Sequence, residues 1–235
     1  MTQALTGSTG CDTENVMADV NIQLVREFFE LNLFAVLTNW QRDTLRLRGA
    51  DSGLQLFVEN VNPALPRALD FVLSPVDLCS IERALVEVRA WHAERFYPSV
   101  VDSSPVLAQF VSEDSLSFAR EIFGSRPFTT ILVISELPAS SEPRARSIDL
   151  LESAGIGHII EFPSILRDLL EKVSMHENYT PSPTLQILRL LKRYKLVRNQ
   201  QLEFAFLNEA PVAETPPPLE VVTEPDVDAD EDDEQ

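Results

Sequence analysis

The run Thr129-Thr130-Ile131-Leu132-Val133-Ile134 constrains the fold of this chain more than any other stretch. It is β-branched and nearly continuous, without the polar alternation of a half-solvated strand, so it predicts a strand buried at the centre of a sheet. Helices and strands alternate after it. The pattern predicts a helix over 144–154 ended by Gly155, a short strand over 158–162, and a helix that opens at Pro163. Ile165, Leu166, Leu169, Leu170 and Val173 give that helix its apolar face, and a last amphipathic helix spans 184–196. Ahead of the run, Val20, Leu24, Phe28 and Leu31 recur at helical spacing over 16–32, with Val25 and Phe29 widening the stripe. Short strand candidates follow at 33–37, 54–58, 69–73 and 84–91, and a further helix at 112–123. The fold class expected is α/β, a mixed central sheet flanked by helices, with an antiparallel meander as its first part.

Composition divides the chain into three stretches. Residues 1–15 are small and polar and read as a flexible leader; residues 16–208 hold the α/β domain and its basic C-terminal helix. Residues 209–235 contain Pro216-Pro217-Pro218, 11 acids and no Lys or Arg. They read as a disordered acidic tail, because such a segment buries too little apolar surface to offset its ordering entropy. The formal net charge is −18, and without the tail it is −7. Acidic surface repels nucleic acid phosphates, so a nucleic acid partner requires a local basic patch. Arg189, Lys192 and Arg193, at spacings of three and four on the last helix, are the candidate for contact with nucleic acid or another anionic partner.

Several function classes lack their motifs. No glycine-rich dinucleotide turn or G-x-x-x-x-G-K loop occurs, and Gly155-Ile156-Gly157 follows a helix rather than a strand. The serines have no G-x-S-x-G context, and His92, His158 and His176 are too scattered for zinc-ligand spacing. Two cysteines, Cys11 and Cys79, make no disulfide framework. No apolar run reaches the ~18 residues of a spanning helix. With no secretory signal at the N-terminus, a cytoplasmic protein without membrane contact is expected.

One constellation could carry chemistry. Asp70 opens a strand candidate, and Glu87-Val88-Arg89 lies on the next. If those strands are neighbours, Glu87 and Arg89 share a face and Asp70 sits beside Glu87. Two adjacent carboxylates favour a cation between them, which suits Mg²⁺. Arg89 would then face a scissile phosphate, and Glu27 or Glu30 on the first helix could add a carboxylate. Such a site hydrolyses a phosphodiester. The same residues also fit a plainer description: an exposed strand face for Glu87 and Arg89, and the solvated side of a helix for Glu27 and Glu30.

On these residues, and on the helix–strand–helix–strand run from Ser112 to Phe162, the chain resembles the PD-(D/E)XK, or restriction-endonuclease-like, nuclease superfamily across residues 16–175. The resemblance implies metal-binding Asp70 and Glu87 and a catalytic position at Arg89. Two departures stand out. Members of the superfamily usually carry Lys where Arg89 stands, and Leu69 replaces the proline before the first acid. Arg is larger than Lys and cannot act as a base. Asp77 competes with Asp70 for the first acid. Two functions follow as expectations: metal-dependent hydrolysis of nucleic acid, or a protein-interaction module that kept the fold and lost the chemistry.

Overall fold

Apolar residues at helical spacing wind the start of the described chain into α1 (Cys11–Leu31). The computed structural model describes residues 11–38, 55–90, 92 and 95–197. The first ten residues of the expected leader and the whole acidic tail lie outside them. The helix begins five residues earlier than its apolar stripe predicts, since neither glycine nor proline interrupts the chain between Cys11 and Val16. Strands β1 (Phe34–Thr38), β2 (Gln55–Asn60) and β3 (Arg83–Arg89) follow, with a 3-10 helix over Pro75–Ser80 before β3. Two short helices, α2 (Pro98–Ser103) and α3 (Pro105–Phe110), open with proline at the first helical position. Their apolar periodicity is too brief to announce them.

The second half alternates as expected: α4 (Glu113–Phe123), β4 (Thr129–Ile134), α5 (Ser141–Ser153), β5 (His158–Glu161), α6 (Phe162–Lys172) and α7 (Pro183–Arg193). Helix α4 shows the local logic. Ser112 caps its N-terminus, Glu113 and Asp114 sit in its first turn, Arg120 in its last, and Gly124 ends it at φ +60°. Gly157 has a different role. A Cβ there would meet Thr129 Oγ1 at 2.6 Å, so the Gly155-Ile156-Gly157 pair of glycines serves a helix stop and a close approach to β4.

The sheet order is β1-β2-β3-β4-β5, antiparallel across the first three strands and parallel across the last three. This is the mixed sheet the sequence predicts, with β4 one strand in from the edge and buried along its length. Alternation in the strands feeds two cores. Leu56, Val86, Ile131 and Val133 pack with Phe28 and Phe29 of α1 and Ile165 of α6; Phe57, Leu85 and Leu132 pack under Phe110, Phe123 and Leu151 of the other helical layer. Full burial of each such side chain contributes about 1.5–3 kcal/mol. Among the described residues, no helix is long and apolar enough to cross a membrane.

One expected strand is absent. Of residues 69–73 only Val72 pairs, by an isolated parallel bridge to Ile159. Ser74 then starts the 3-10 helix, its backbone N–H and hydroxyl both donating to Asp77, and pairing cannot continue. The segment therefore lies beyond β5, not beside β3.

Candidate functional site

Residues of odd number on β3 point toward the α4 layer, which puts Glu87 and Arg89 on one face as the period of two requires. That face is closed rather than exposed. Glu87 is 3% and Arg89 7% accessible. Arg89 donates from Nε and Nη2 to Glu87 Oε1 at 2.9 and 2.7 Å. Gln55 stands directly across the β2–β3 ladder from Glu87, and its amide donates to Glu87 Oε2 at 3.1 Å and to Ser115 Oγ of α4 at 2.9 Å. Both carboxylate oxygens of Glu87 thus accept from buried or half-buried donors, and the group forms a polar network sealed beneath α4.

Asp70 does not join it. The register runs Gln55–Glu87–Leu132–Ile159–Val72 across the sheet. Glu87 and the segment of Asp70 are therefore three strand spacings apart, about 14 Å. Asp70 is exposed, and its backbone carbonyl accepts from His158 Nδ1 at 3.0 Å. The expectation that the two carboxylates converge is corrected by this topology: the chain bearing Asp70 crosses to the far edge of the sheet before returning as β3. Asp77, the competing acid, completes the capping box of the 3-10 helix behind the N-cap Ser74 and pairs with Arg67 at 2.6 Å. Partial burial pushes its carboxyl up, but hydrogen bonds from Ser74 and the Arg67 charge outweigh that and hold it below the usual aspartate value.

Glu27 is also far from Glu87, because α1 covers the opposite face of the sheet. It is neither solvated nor ligand-like. At 1% exposure it accepts from Gln23 Nε2 at 2.7 Å and from the hydroxyls of Ser182 and Thr184. Ser182 is the N-cap of α7, so the buried carboxylate meets the positive end of that helix. Glu30 makes the exposed pair expected of a solvated face, with Arg26 at 2.8 Å.

The last helix buries Leu185 and packs Leu188 against the core, as its apolar side requires, and two of its cations serve the fold. Lys192 Nζ donates to the carbonyls of Leu170 and Val173 at 2.6 Å each, and Arg189 Nε to the Met175 carbonyl at 3.2 Å. These two cations satisfy carbonyls at and beyond the end of α6, a favoured place for positive charge. Of the three residues expected to contact an anionic partner, Arg193 alone is exposed.

A cavity of about 430 Å³ opens at the carboxyl end of the parallel strands, lined by His92, Arg95, Ser135, Glu136, Phe162 and Leu166. Asn21 donates its amide to the Ala90 carbonyl at 3.2 Å, which leaves its Oδ1 to accept from His92 Nε2 at 2.9 Å. The His92 ring stands edge-on to Phe162, centroids 4.8 Å apart. Arg95 pairs with Glu136 at 3.1 Å.

An Mg²⁺ ion does not fit the residues expected to hold it, since Asp70 is across the sheet and Glu87 is occupied by Arg89 and Gln55. Among the described residues, no three His, Cys, Asp or Glu side chains form a group that could hold a metal ion. Sequence reasoning missed Gln55, whose place beside Glu87 follows only from strand register, and Ser115, which the packing of α4 brings to Gln55. No family model matches the chain, and no significant match was found to a curated protein or a solved structure.

Proposed function

We propose that this chain is a non-catalytic protein-interaction module on a nuclease-like α/β scaffold. The closure of Glu87 by Arg89 and Gln55 carries this reading. Metal-assisted hydrolysis needs carboxylates with open coordination positions around an ion. Glu87 is buried and already paired with the Arg89 charge, so a cation would have to displace that partner to reach it. The antiparallel-then-parallel strand order supports the restriction-endonuclease-like scaffold, but chemistry belongs to sites, not folds.

The test is a cleavage assay on DNA and RNA with Mg²⁺ or Mn²⁺, comparing the parent with Glu87→Ala. The expected outcome is no cleavage with either ion. Metal-dependent cleavage by the parent overturns the proposal. Its loss in a folded Glu87→Ala variant would assign the chemistry to β3, and its survival would assign it elsewhere in the chain.

A further inference from the structure

The turning of Arg189 and Lys192 inward leaves an apolar ridge on the outer face of α7. Ile187, Leu190 and Tyr194 are exposed at 57, 41 and 68%, and their spacing of three and four residues aligns them on one side of the helix. Leu196, 72% exposed, extends the apolar surface past the helix end. That end is a Schellman turn: Leu196 N–H donates to the Leu191 carbonyl and Lys195 N–H to that of Lys192, with Lys195 at φ +56°. From Ser182 to Val197 there is no acidic residue, although the chain as a whole carries −18. The exposed charges beside the ridge are Arg193 and Lys195.

We infer that this ridge docks an amphipathic helix of a protein partner, an apolar seam flanked by Asp or Glu. The inference rests on the interaction-module reading and names its surface. The residues follow the pattern by which helices meet helices: an i, i+3, i+7 seam with a cation at its margin to choose the partner's charge. Pairing of α7 with the α7 of a second copy is disfavoured, because that helix offers no acid to Arg193 and Lys195. An anionic membrane is disfavoured by number, since polybasic lipid sites gather about four to eight cations and this face presents two.

The experiment titrates the full chain with two fluorescent synthetic three-heptad helices of identical leucine seam, one flanked by Glu and one by Lys. The Glu-flanked helix should bind at least about ten-fold more tightly than the other. The double variant Leu190→Ser/Tyr194→Ser should weaken it about ten-fold or more, and Arg193→Glu/Lys195→Glu should reverse the preference. All four positions are exposed, so circular dichroism and Tm should match the parent. Equal binding of the two helices, binding of neither, or insensitivity to the variants overturns the inference. So does tighter association with phosphatidylglycerol vesicles, or self-association in sedimentation that Leu190→Ser/Tyr194→Ser abolishes. Failure here leaves Glu87 untouched, whereas failure of the interaction-module reading appears as metal-dependent cleavage.

Discussion

Gln55 faces Glu87 directly across the β2–β3 ladder and bridges its carboxylate to the Ser115 hydroxyl. A neutral amide thus occupies the place beside Glu87 where a second acid would have to stand to share a cation. The network's cost and worth lie in burial. Removing one member of a buried pair strands the other's charge, a loss of about 3–5 kcal/mol, whereas replacing both by apolar groups of similar volume is often neutral. Urea denaturation should therefore find Arg89→Leu far less stable than the parent, and Glu87→Met/Arg89→Leu less damaged than Arg89→Leu alone. A double variant worse than the single would show that Glu87 stabilises the fold through partners other than Arg89, such as Gln55.

Lys192 is a structural cation. Its ammonium serves the Leu170 and Val173 carbonyls, so Lys192→Met should lower stability by about 1–3 kcal/mol, the cost of stranding such acceptors. Arg193→Ala, at an exposed site, should change stability by no more than about 0.5 kcal/mol. Thermal melts of the two variants side by side measure the contrast, and equal losses would contradict the inward placement of Lys192.

Glu27 fastens α7 to α1. Truncation in Glu27→Ala removes the acceptor for Ser182, Thr184 and Gln23 and leaves those half-buried donors without it. A loss of about 1–3 kcal/mol follows, concentrated where the contact was. Hydrogen exchange should show the amides of 183–193 losing protection before those of β3 and β4. Uniform loss across the sheet would mean that α7 does not open on its own.

The strand at 129–134 and the helices after it were legible because their signals are local: apolar run, period and helix stop all lie within one window. The antiparallel meander was legible too. What was not legible is which strand lies beside which. Residues 69–73 have the composition of a strand, yet they meet Ile159 and not Glu87, and no local pattern encodes a crossing to the other edge of a sheet. The contacts of the α7 cations were hidden for a related reason. Arg189 and Lys192 look like a solvated face until the carbonyls of Met175 and Leu170 are placed beneath them. Only Glu87 and Arg89 kept the shared face predicted from alternation, and the partner they found there was Gln55.

Leu33 sits between α1 and β1 at φ +64°, a region that costs an L-residue about 1–2 kcal/mol and glycine almost nothing. Its side chain is 63% exposed, so little packing is lost by removing it. Leu33→Gly should stabilise the chain by about 0.5–1 kcal/mol, read as a higher urea midpoint at unchanged slope. A destabilised variant would show that the Leu33 side chain contributes more than its exposure indicates.

Asp77 should make part of the stability pH-dependent. Its folded carboxyl titrates below its ordinary value of 3.8, burial being outweighed by the Ser74 hydrogen bonds and Arg67. A depressed carboxyl stabilises the fold fully above the unfolded value, and that contribution fades as pH falls through the folded one. Asp77→Asn should cost about 0.5–1 kcal/mol at pH 7, the scale of a lost capping interaction. The gap between parent and variant should hold above the ordinary value of 3.8 and shrink as pH falls below it. Urea midpoints of both proteins across that range measure it. A gap that does not narrow in acid would mean that Asp77 contributes through its shape and hydrogen-bond acceptors, not through its charge.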